Sequence, residues 1–170
     1  MTHLIPGTYP KYFENYIKLV DADTVNEATI KYSTSVINFF RNIPKEKVTF
    51  RYAEGKWSLK EVLLHVTDTE RIFSYRALRI ARGDKTSLPG FDENVFAAAS
   101  NADSRTWESI LEEFEAVRKS TDLLLQSFSE KQLDQSGVTN ELPTTTKAIG
   151  LIVYGHILHH INIVKERYLL

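Results

Sequence analysis

Four segments of the chain repeat apolar residues at steps of three and four, the spacing that forms one face of an α-helix. Each segment is preceded by a residue pattern typical of a helix start. Strongly amphipathic helices bury their apolar faces against one another, so this pattern favours a helical bundle over a sheet protein. The length of 170 residues suits one domain, and we expect an all-α four-helix bundle that spans residues 1–170.

The first two predicted helices have clear bounds. The first follows Asp23 and ends before Pro44, because proline cannot continue a helix. The second opens with Ser58 and Glu61 at the spacing of a capping box, in which the two residues bond each other's backbone amides. It is expected to end near Gly83, which readily adopts the left-handed conformation of a helix terminus.

The last two predicted helices are separated from the first pair by a long connection, residues 84–103. Connections of this length are often functional lids or contain a short helix. The third helix is expected to begin around Ser104, and a polar stretch through Gly137 and Pro143 follows it. The fourth should start after the threonine run 144–146, any of which can cap it, and continue to the C-terminus.

Composition and charge exclude several classes of protein. The chain has no cysteine, which suits a reducing compartment and leaves only nitrogen and oxygen as metal ligands. It shows no basic N-terminal stretch leading into an apolar run, and no apolar segment of the ~20 residues that cross a bilayer. The 21 basic and 22 acidic residues are interspersed. We therefore expect a cytoplasmic protein with neither nucleic acid nor membrane as a partner.

Histidines are the candidate ligands of a metal ion. His156 and His160 lie four residues apart on the apolar face of the fourth helix, so their Cβ atoms are about 6 Å apart and both rings can reach one ion. His159 falls nearer the polar boundary, outside the ligand set, where it is a candidate to support a ligand or contact the substrate. The third ligand would be His65, the remaining histidine on a predicted helix, because His3 lies near the terminus.

The alternative interpretation is a buried polar network without a metal. An inward histidine is often a hydrogen-bonded core residue, and a pair four apart can arise by chance. Three inward imidazoles without a shared ligand would be costly to satisfy, which favours the metal site. Three ligands also leave a position open, where an ion can activate water or a thiol or polarise a carbonyl.

Other polar residues could act around the ion, although each also has a simpler interpretation. Asp68, one turn from the first histidine, could orient its ring or be a surface ion-pair partner. Arg76 and Arg167 lie on the stripes of the ligands and could hold an anionic substrate or pair with carboxylates. Asp92 and Glu93 could supply a base or belong to a solvated loop.

Large aromatic residues are expected to form core rather than a ligand cage. They are Trp57, Trp107, Phe73 and Phe114.

Two motifs resemble the DinB-like superfamily. They are residues 56–68 (KWSLKEVLLHVTD) followed by Arg71, and residues 155–160 (GHILHH) closed by residues 166–169 (ERYL). The segment 88–94 (LPGFDEN) and the tyrosine-rich N-terminal part through Tyr16 resemble the metal-dependent hydrolase branch of that superfamily.

This resemblance implies a four-helix bundle with a long crossover between helices two and three, frequently dimeric. It implies zinc or nickel between helices two and four, held by His65, His156 and His160. Relatives include transferases and an isomerase that use low-molecular-weight thiols. We expect either a metal-dependent hydrolase or a small-thiol-dependent transferase, acting on a small-molecule substrate. The alternative is a non-catalytic, metal-stabilised dimeric module with a binding or stress-response role, and a sealed site would favour it.

Overall fold

Helices dominate the structure, a computed structural model that describes Leu4 and residues 7–170. Single 3₁₀ turns occur at Lys11–Phe13, Lys45–Lys47 and Ala102–Ser104. The helices and strands are α1 (Glu14–Ile17), α2 (Val25–Arg41), α3 (Leu59–Ala81), α4 (Glu93–Ala99), α5 (Trp107–Gln126), α6 (Glu130–Leu133), β1 (Ser136–Thr139), β2 (Leu142–Thr145) and α7 (Thr146–Arg167). Four of these helices are long, and a long connection joins α3 to α5, so the predicted all-α bundle is confirmed.

The four long helices α2, α3, α5 and α7 form the bundle. Both α2 and α3 pack against α5 and against α7, which places α2 and α3 at opposite corners. Tyr168, directly after α7, donates a hydrogen bond of 2.8 Å from its hydroxyl to the carbonyl oxygen of Trp57, just before α3. At the other end Ile80 of α3 contacts Gly137, shortly before α7. The two helices are therefore antiparallel.

Local sequence signals explain where the helices start. The amide of Glu61 donates to Ser58 Oγ at 3.2 Å, and the Glu61 carboxylate accepts from the Ser58 amide at 2.7 Å, so the predicted capping box is present. Thr145 caps α7 by accepting from the amide of Ala148 at 3.2 Å. Gly83, with φ of 82°, follows α3 as predicted.

The third long helix starts later than predicted. The segment Ala102–Ser104 forms a separate 3₁₀ turn, and Thr106 is the residue that caps α5, by accepting from the amide of Ser109 at 3.2 Å. The predicted start at Ser104 was therefore wrong by about one turn, because two possible capping residues occur close together.

The long connection between α3 and α5 contains the short helix α4. Asp92 caps it, since its carboxylate accepts from the amides of Asn94 and Val95 at 2.9 and 3.1 Å. The expectation of a short helix in this connection is confirmed.

The polar stretch before α7 contains a β-hairpin that the sequence interpretation missed. Strands β1 and β2 pair antiparallel around Asn140 and Glu141, which have φ of 48° and 64°. Leu88 of the long connection joins the hairpin, because its amide donates to Val138 O at 2.9 Å and its carbonyl accepts from the Asn140 amide at 2.8 Å. The hairpin thereby holds the start of the long connection in place.

A buried polar cluster links all four long helices. Arg118 of α5, fully buried, donates to Glu70 of α3 at 2.9 Å and to Asp122 at 2.7 Å. The hydroxyl of Tyr154 on α7 donates to Asp122 at 2.9 Å and lies 2.7 Å from the hydroxyl of Thr29 on α2. This cluster fixes the four helices relative to one another from inside the core.

None of the helices in the described part of the chain has the length and apolar character needed to cross a membrane.

Candidate metal centre

Three histidine rings from α3 and α7 meet inside the bundle. Nε2 of His65 lies 3.1 Å from Nε2 of His156, and Nε2 of His160 lies 3.1 Å from the same atom. One ring nitrogen from each of the three residues lies within 4.8 Å of the others. Tetrahedral coordination with Zn–N bonds of 2.0 to 2.1 Å would separate the nitrogens by about 3.3 Å. The donor set and its spacing therefore fit a single divalent ion.

Burial keeps these rings in the form that binds metals. All three are buried, and this desolvation lowers the pKa of His65 to about 4. Desolvation, reinforced by the neighbouring histidines, holds the pKa of His156 and of His160 well below the usual value. All three imidazoles are neutral near pH 7, so a metal ion does not have to displace a proton from any of them.

The three histidines form the inner end of a cavity of about 350 Å³. Its outer part includes Tyr12, Gly90 and Glu93, which are exposed, so the cavity is open to solvent. This size and shape suit a small molecule. The open cavity differs from the sealed arrangement expected of a purely structural ion.

One wall of the cavity comes from the segment Lys11–Ile17, before the bundle begins. It contributes Tyr12, Phe13 and Tyr16. The ring of Tyr16 lies 5.6 Å from the His156 ring, edge to face. Burial raises the pKa of the Tyr16 hydroxyl, and the nearby Glu93 carboxylate raises it further. The segment can come this close because Gly155 has no side chain, and a Cβ there would overlap the carbonyl oxygen of Tyr16.

Two aromatic residues that were expected only in the core also line the cavity. Trp57 is half-buried with its ring centroid 4.8 Å from that of His65, and Phe73 lies 6.0 Å from the His156 ring. Phe73 belongs to the core and Trp57 packs against it, so the expectation of core residues is confirmed, and both rings also line the cavity. Trp107 and Phe114 are core residues, as predicted.

Two polar side chains on α3 line the same cavity beyond the histidines. Arg76 is 6% exposed and donates from Nη2 to the carbonyl oxygen of Pro89 at 2.5 Å, and burial lowers its pKa. Thr69 is buried, and its hydroxyl has no hydrogen-bond partner among the described residues. The stripe of His65, Thr69 and Arg76 seen in the sequence therefore faces one cavity.

Several other candidates lie elsewhere. The carboxylate of Asp68 accepts from Arg71 at 3.2 Å, and no bond to a histidine is present among the described residues, so the ion-pair interpretation holds. Arg167 is exposed and does not line the cavity, which corrects its assignment to the substrate. It lies near the end of α7, and because α7 runs antiparallel to α3, that end is remote from Arg76.

Of the remaining candidates, only some line the cavity. His159 lines the cavity outside the three-histidine cluster, as predicted, and burial lowers its pKa. Glu93 lines the mouth, whereas the carboxylate of Asp92 is engaged in capping α4. His3 lies outside the described residues.

Sequence reasoning missed the wall residues Tyr12, Phe13 and Tyr16, and it also missed Asn140 at the hairpin turn. The aromatic spacing in the N-terminal segment was a usable signal, because three large aromatic rings within five residues are expected to pack against another part of the protein. Asn140 gave no comparable signal, since its position depends on a hairpin that pairs with a distant segment.

Fold and site together define a helical-bundle protein whose three-histidine centre lies at the inner end of an open cavity. The profile of the DinB superfamily matches residues 34–164. The chain belongs to this superfamily.

Two relatives show how far the likeness extends. A protein of Oceanobacillus iheyensis named "putative metal-dependent hydrolase" is 26% identical over 124 residues, which is 71% of this chain and 69% of the relative. The structure of YfiT from Bacillus subtilis, described as a probable metal-dependent hydrolase with an unusual four-helix bundle topology, has a TM-score of 0.64. The alignment covers 98% of this chain and 93% of the YfiT chain at 15% sequence identity. The likeness therefore shows a shared fold.

Proposed function

We propose that the protein is a metal-dependent hydrolase in which His65, His156 and His160 hold one divalent ion, zinc or nickel. The observation that carries this proposal is the meeting of three neutral imidazoles at the inner end of a cavity open to solvent. A divalent ion with three nitrogen ligands supplies Lewis-acid activation of water or of a carbonyl group when it is bound. The hydrolase names of the relatives agree with this chemistry.

The chain's own residues supply the rest of the site. Phe13, Trp57 and Phe73 surround the histidines and reduce the access of bulk water. His159, whose pKa is lowered by burial, lines the cavity and can accept a proton at a ring nitrogen from a group bound there. The Thr69 hydroxyl, without a partner in the described structure, can donate to an oxygen of the bound molecule.

Two alternative functions differ from this proposal in what binds at the open coordination position of the ion. A low-molecular-weight thiol could occupy it as a cosubstrate, which would make the protein a transferase. A non-catalytic module would use the ion for stability alone. The open cavity weighs against the second alternative, because a structural site is normally closed by a fourth protein ligand.

Metal content tests the ligand assignment. We expect wild-type protein, purified without chelators and measured by elemental analysis, to hold about one divalent ion per chain. Alanine at His65, His156 or His160 should each lower that content to about a tenth or less, since changing a residue that merely hydrogen-bonds to a metal ligand already costs about 10- to 100-fold in affinity. His159→Ala is the matched control, from the same cavity but outside the cluster. Unchanged metal content in the three variants would refute the assignment.

Activity tests the reaction class. Metal-loaded protein should hydrolyse at least one member of a panel of small esters and amides, and His65→Ala should abolish that activity. Turnover only in the presence of a small thiol and an electrophile would instead favour the transferase. The absence of activity in both panels, with the metal still bound, would favour the non-catalytic module.

Assembly and location are further proposals that rest on family resemblance and composition. We propose a cytoplasmic homodimer. Sedimentation velocity at micromolar concentration would test the dimer, and a single monomeric species would contradict it.

A further inference from the structure

Arg76 is a buried cation without a buried anion beside it. It is 6% exposed, and its only hydrogen-bond acceptor within the described ranges is the carbonyl oxygen of Pro89. The other buried arginine of the bundle, Arg118, is paired with two carboxylates. No carboxylate among residues 7–170 forms an ion pair with Arg76, although buried guanidinium groups normally have such partners.

A second polar group with unused hydrogen-bonding capacity lies about two helical turns away on the same helix. The Thr69 hydroxyl is buried, lines the cavity and has no hydrogen-bond partner in the part of the chain that the structure describes. A guanidinium has five N–H donors, of which the bond to Pro89 uses one. Donors therefore remain on both side chains, and both side chains line the cavity.

The distance to the histidines sets the size of the molecule that could use these donors. The Phe73 ring centroid lies 6.0 Å from the Arg76 guanidinium carbon and 6.0 Å from the His156 ring centroid. The guanidinium therefore lies no farther from the His156 ring than the sum of these two distances. Phe73 lines the cavity and lies equally close to both groups, so a molecule that reached from the three-histidine centre to Arg76 would run alongside its ring.

We propose that Arg76 binds an anionic group, of the carboxylate class, on the substrate of this cavity, while the bond to be hydrolysed lies at the three-histidine centre. The substrate is thus a small acid with an apolar segment between its charged end and its scissile ester or amide. This inference rests on the proposed function, since it describes the other end of the same bound molecule. A carboxylate matches the planar fork of the guanidinium and accepts two hydrogen bonds from it.

Glu93 is the acidic residue of the cavity lining, and its position is compatible with this substrate. It is exposed at the mouth, and its charge acts on the Tyr16 hydroxyl. Burial lowers the pKa of Arg76, and Glu93 is not among the groups whose charge acts on it. Glu93 therefore leaves the guanidinium free to bind an external carboxylate.

The competing role for Arg76 is purely structural, as a support for the Pro89 backbone. The two roles predict different binding data. If Arg76 only supports the backbone, its replacement should change the stability of the protein but not the difference in affinity between a charged ligand and its neutral ester. If Arg76 binds the ligand, its replacement should reduce that difference in affinity.

The test uses hydroxamates, which bind metal ions, with a variable tail. The probes are the monohydroxamates of the diacids from succinic to suberic acid, each with its methyl ester, and acetohydroxamate as the tail-free reference. Calorimetry on zinc-loaded wild-type protein should show one chain length whose acid binds about tenfold or more tightly than its ester, as expected for a charge-assisted pair. Arg76→Met should reduce that ratio to about one and leave acetohydroxamate binding unchanged, while Arg76→Lys should retain part of it.

Arg167→Met is the matched control, because Arg167 is an exposed arginine outside the cavity. It should keep the wild-type ratio. Equal binding of acids and esters at every chain length to wild-type protein, or a ratio that survives in Arg76→Met, would overturn the proposal. Should Arg76→Met fail to fold, the wild-type series and Arg76→Lys still decide the question.

Failure of the metal assignment would give a different result. Acetohydroxamate, the tail-free reference, would then not bind to wild-type protein. In that case metal-stripped protein is heated with adipate or with dimethyl adipate. Greater thermal stabilisation by the diacid in wild type than in Arg76→Met would support the anion site independently of the ion, and equal stabilisation would overturn it.

Discussion

At the scale of single residues, Gly155 shows how one missing side chain shapes the site. A Cβ at this position would overlap the backbone of Tyr16, which forms one wall of the cavity. Alanine is favoured over glycine in helices by about 1 kcal/mol, yet the overlap should cost about 1–3 kcal/mol. We therefore expect Gly155→Ala to lower the free energy of unfolding, measured by chemical denaturation.

Gly150 is the internal comparison for this variant. A Cβ there would meet side chains alone, the methyl groups of Val25 at 2.9 Å and of Leu125 at 3.5 Å, and these can shift more easily than backbone. Gly150→Ala should therefore be less harmful than Gly155→Ala. A Gly155→Ala protein as stable as wild type would show that the N-terminal wall is not packed against α7 as described.

Arg118 should be among the most important residues for stability. Its guanidinium is fully buried between Glu70 and Asp122, so Arg118→Met leaves two carboxylates without their cation. Breaking a buried pair on one side costs about 3–5 kcal/mol. Urea denaturation of this variant should show a loss of that order.

The control is Arg41→Met. Arg41 also bridges α2 and α5, through Glu115 at 2.6 Å, but its side chain is 54% exposed. Exposed pairs contribute about 0–1 kcal/mol because water screens them. Equal losses for the two variants would contradict a special role for the buried cluster.

At the scale of helices, two arginines show what a sequence pattern can and cannot locate. Arg76 follows His65 by eleven residues, and Arg167 follows His156 by eleven, so each shares the helical face of its histidine. Eleven residues also correspond to about 16 Å along the axis. Since α3 and α7 are antiparallel, the two arginines lie in opposite directions from the metal centre. The sequence predicted the face correctly, but not the direction in which each helix runs.

The same limit explains the other differences between sequence and structure. Helices with strong local signals, such as the capping box at Ser58, were located correctly, and so was the convergence of the three histidines. The hairpin turn at Asn140 and Glu141 uses left-handed conformations without a glycine, and its position depends on pairing with Leu88. Contacts between segments far apart in the chain leave little trace in the local pattern.

The capping residue of α3 gives a testable prediction at the scale of helices. Ser58 accepts the bond from Glu61 and also donates to Asp103 of the long connection at 2.9 Å. Ser58→Ala removes both bonds and should lower the free energy of unfolding by about 1–2 kcal/mol, measured by thermal denaturation.

Thr106→Ala is the comparison, since that side chain makes a single capping bond, to the amide of Ser109. It should cost about half as much. A loss for Ser58→Ala no larger than that for Thr106→Ala would mean that the bond to Asp103 contributes nothing.

At the scale of the whole molecule, the metal site and the core are separate sources of stability. The apolar core draws on all four long helices, and the Arg118 cluster links them without any of the three histidines. We expect a chelator to lower the melting temperature while the far-ultraviolet circular dichroism spectrum stays helical. A ligand at about 100 times its dissociation constant contributes about 2.7 kcal/mol, and added zinc should restore this amount. Complete loss of helix on chelation would contradict this separation.

The Lys11–Ile17 segment precedes the first long helix in the chain, yet it supplies a wall directly over the histidines. Part of the cavity lining is thus encoded in a stretch of the chain that holds none of the three histidines. Changes in this short leading stretch can alter which molecules enter the cavity while the three histidines stay in place. Exchanging it between homologues is accordingly a practical route to new specificities.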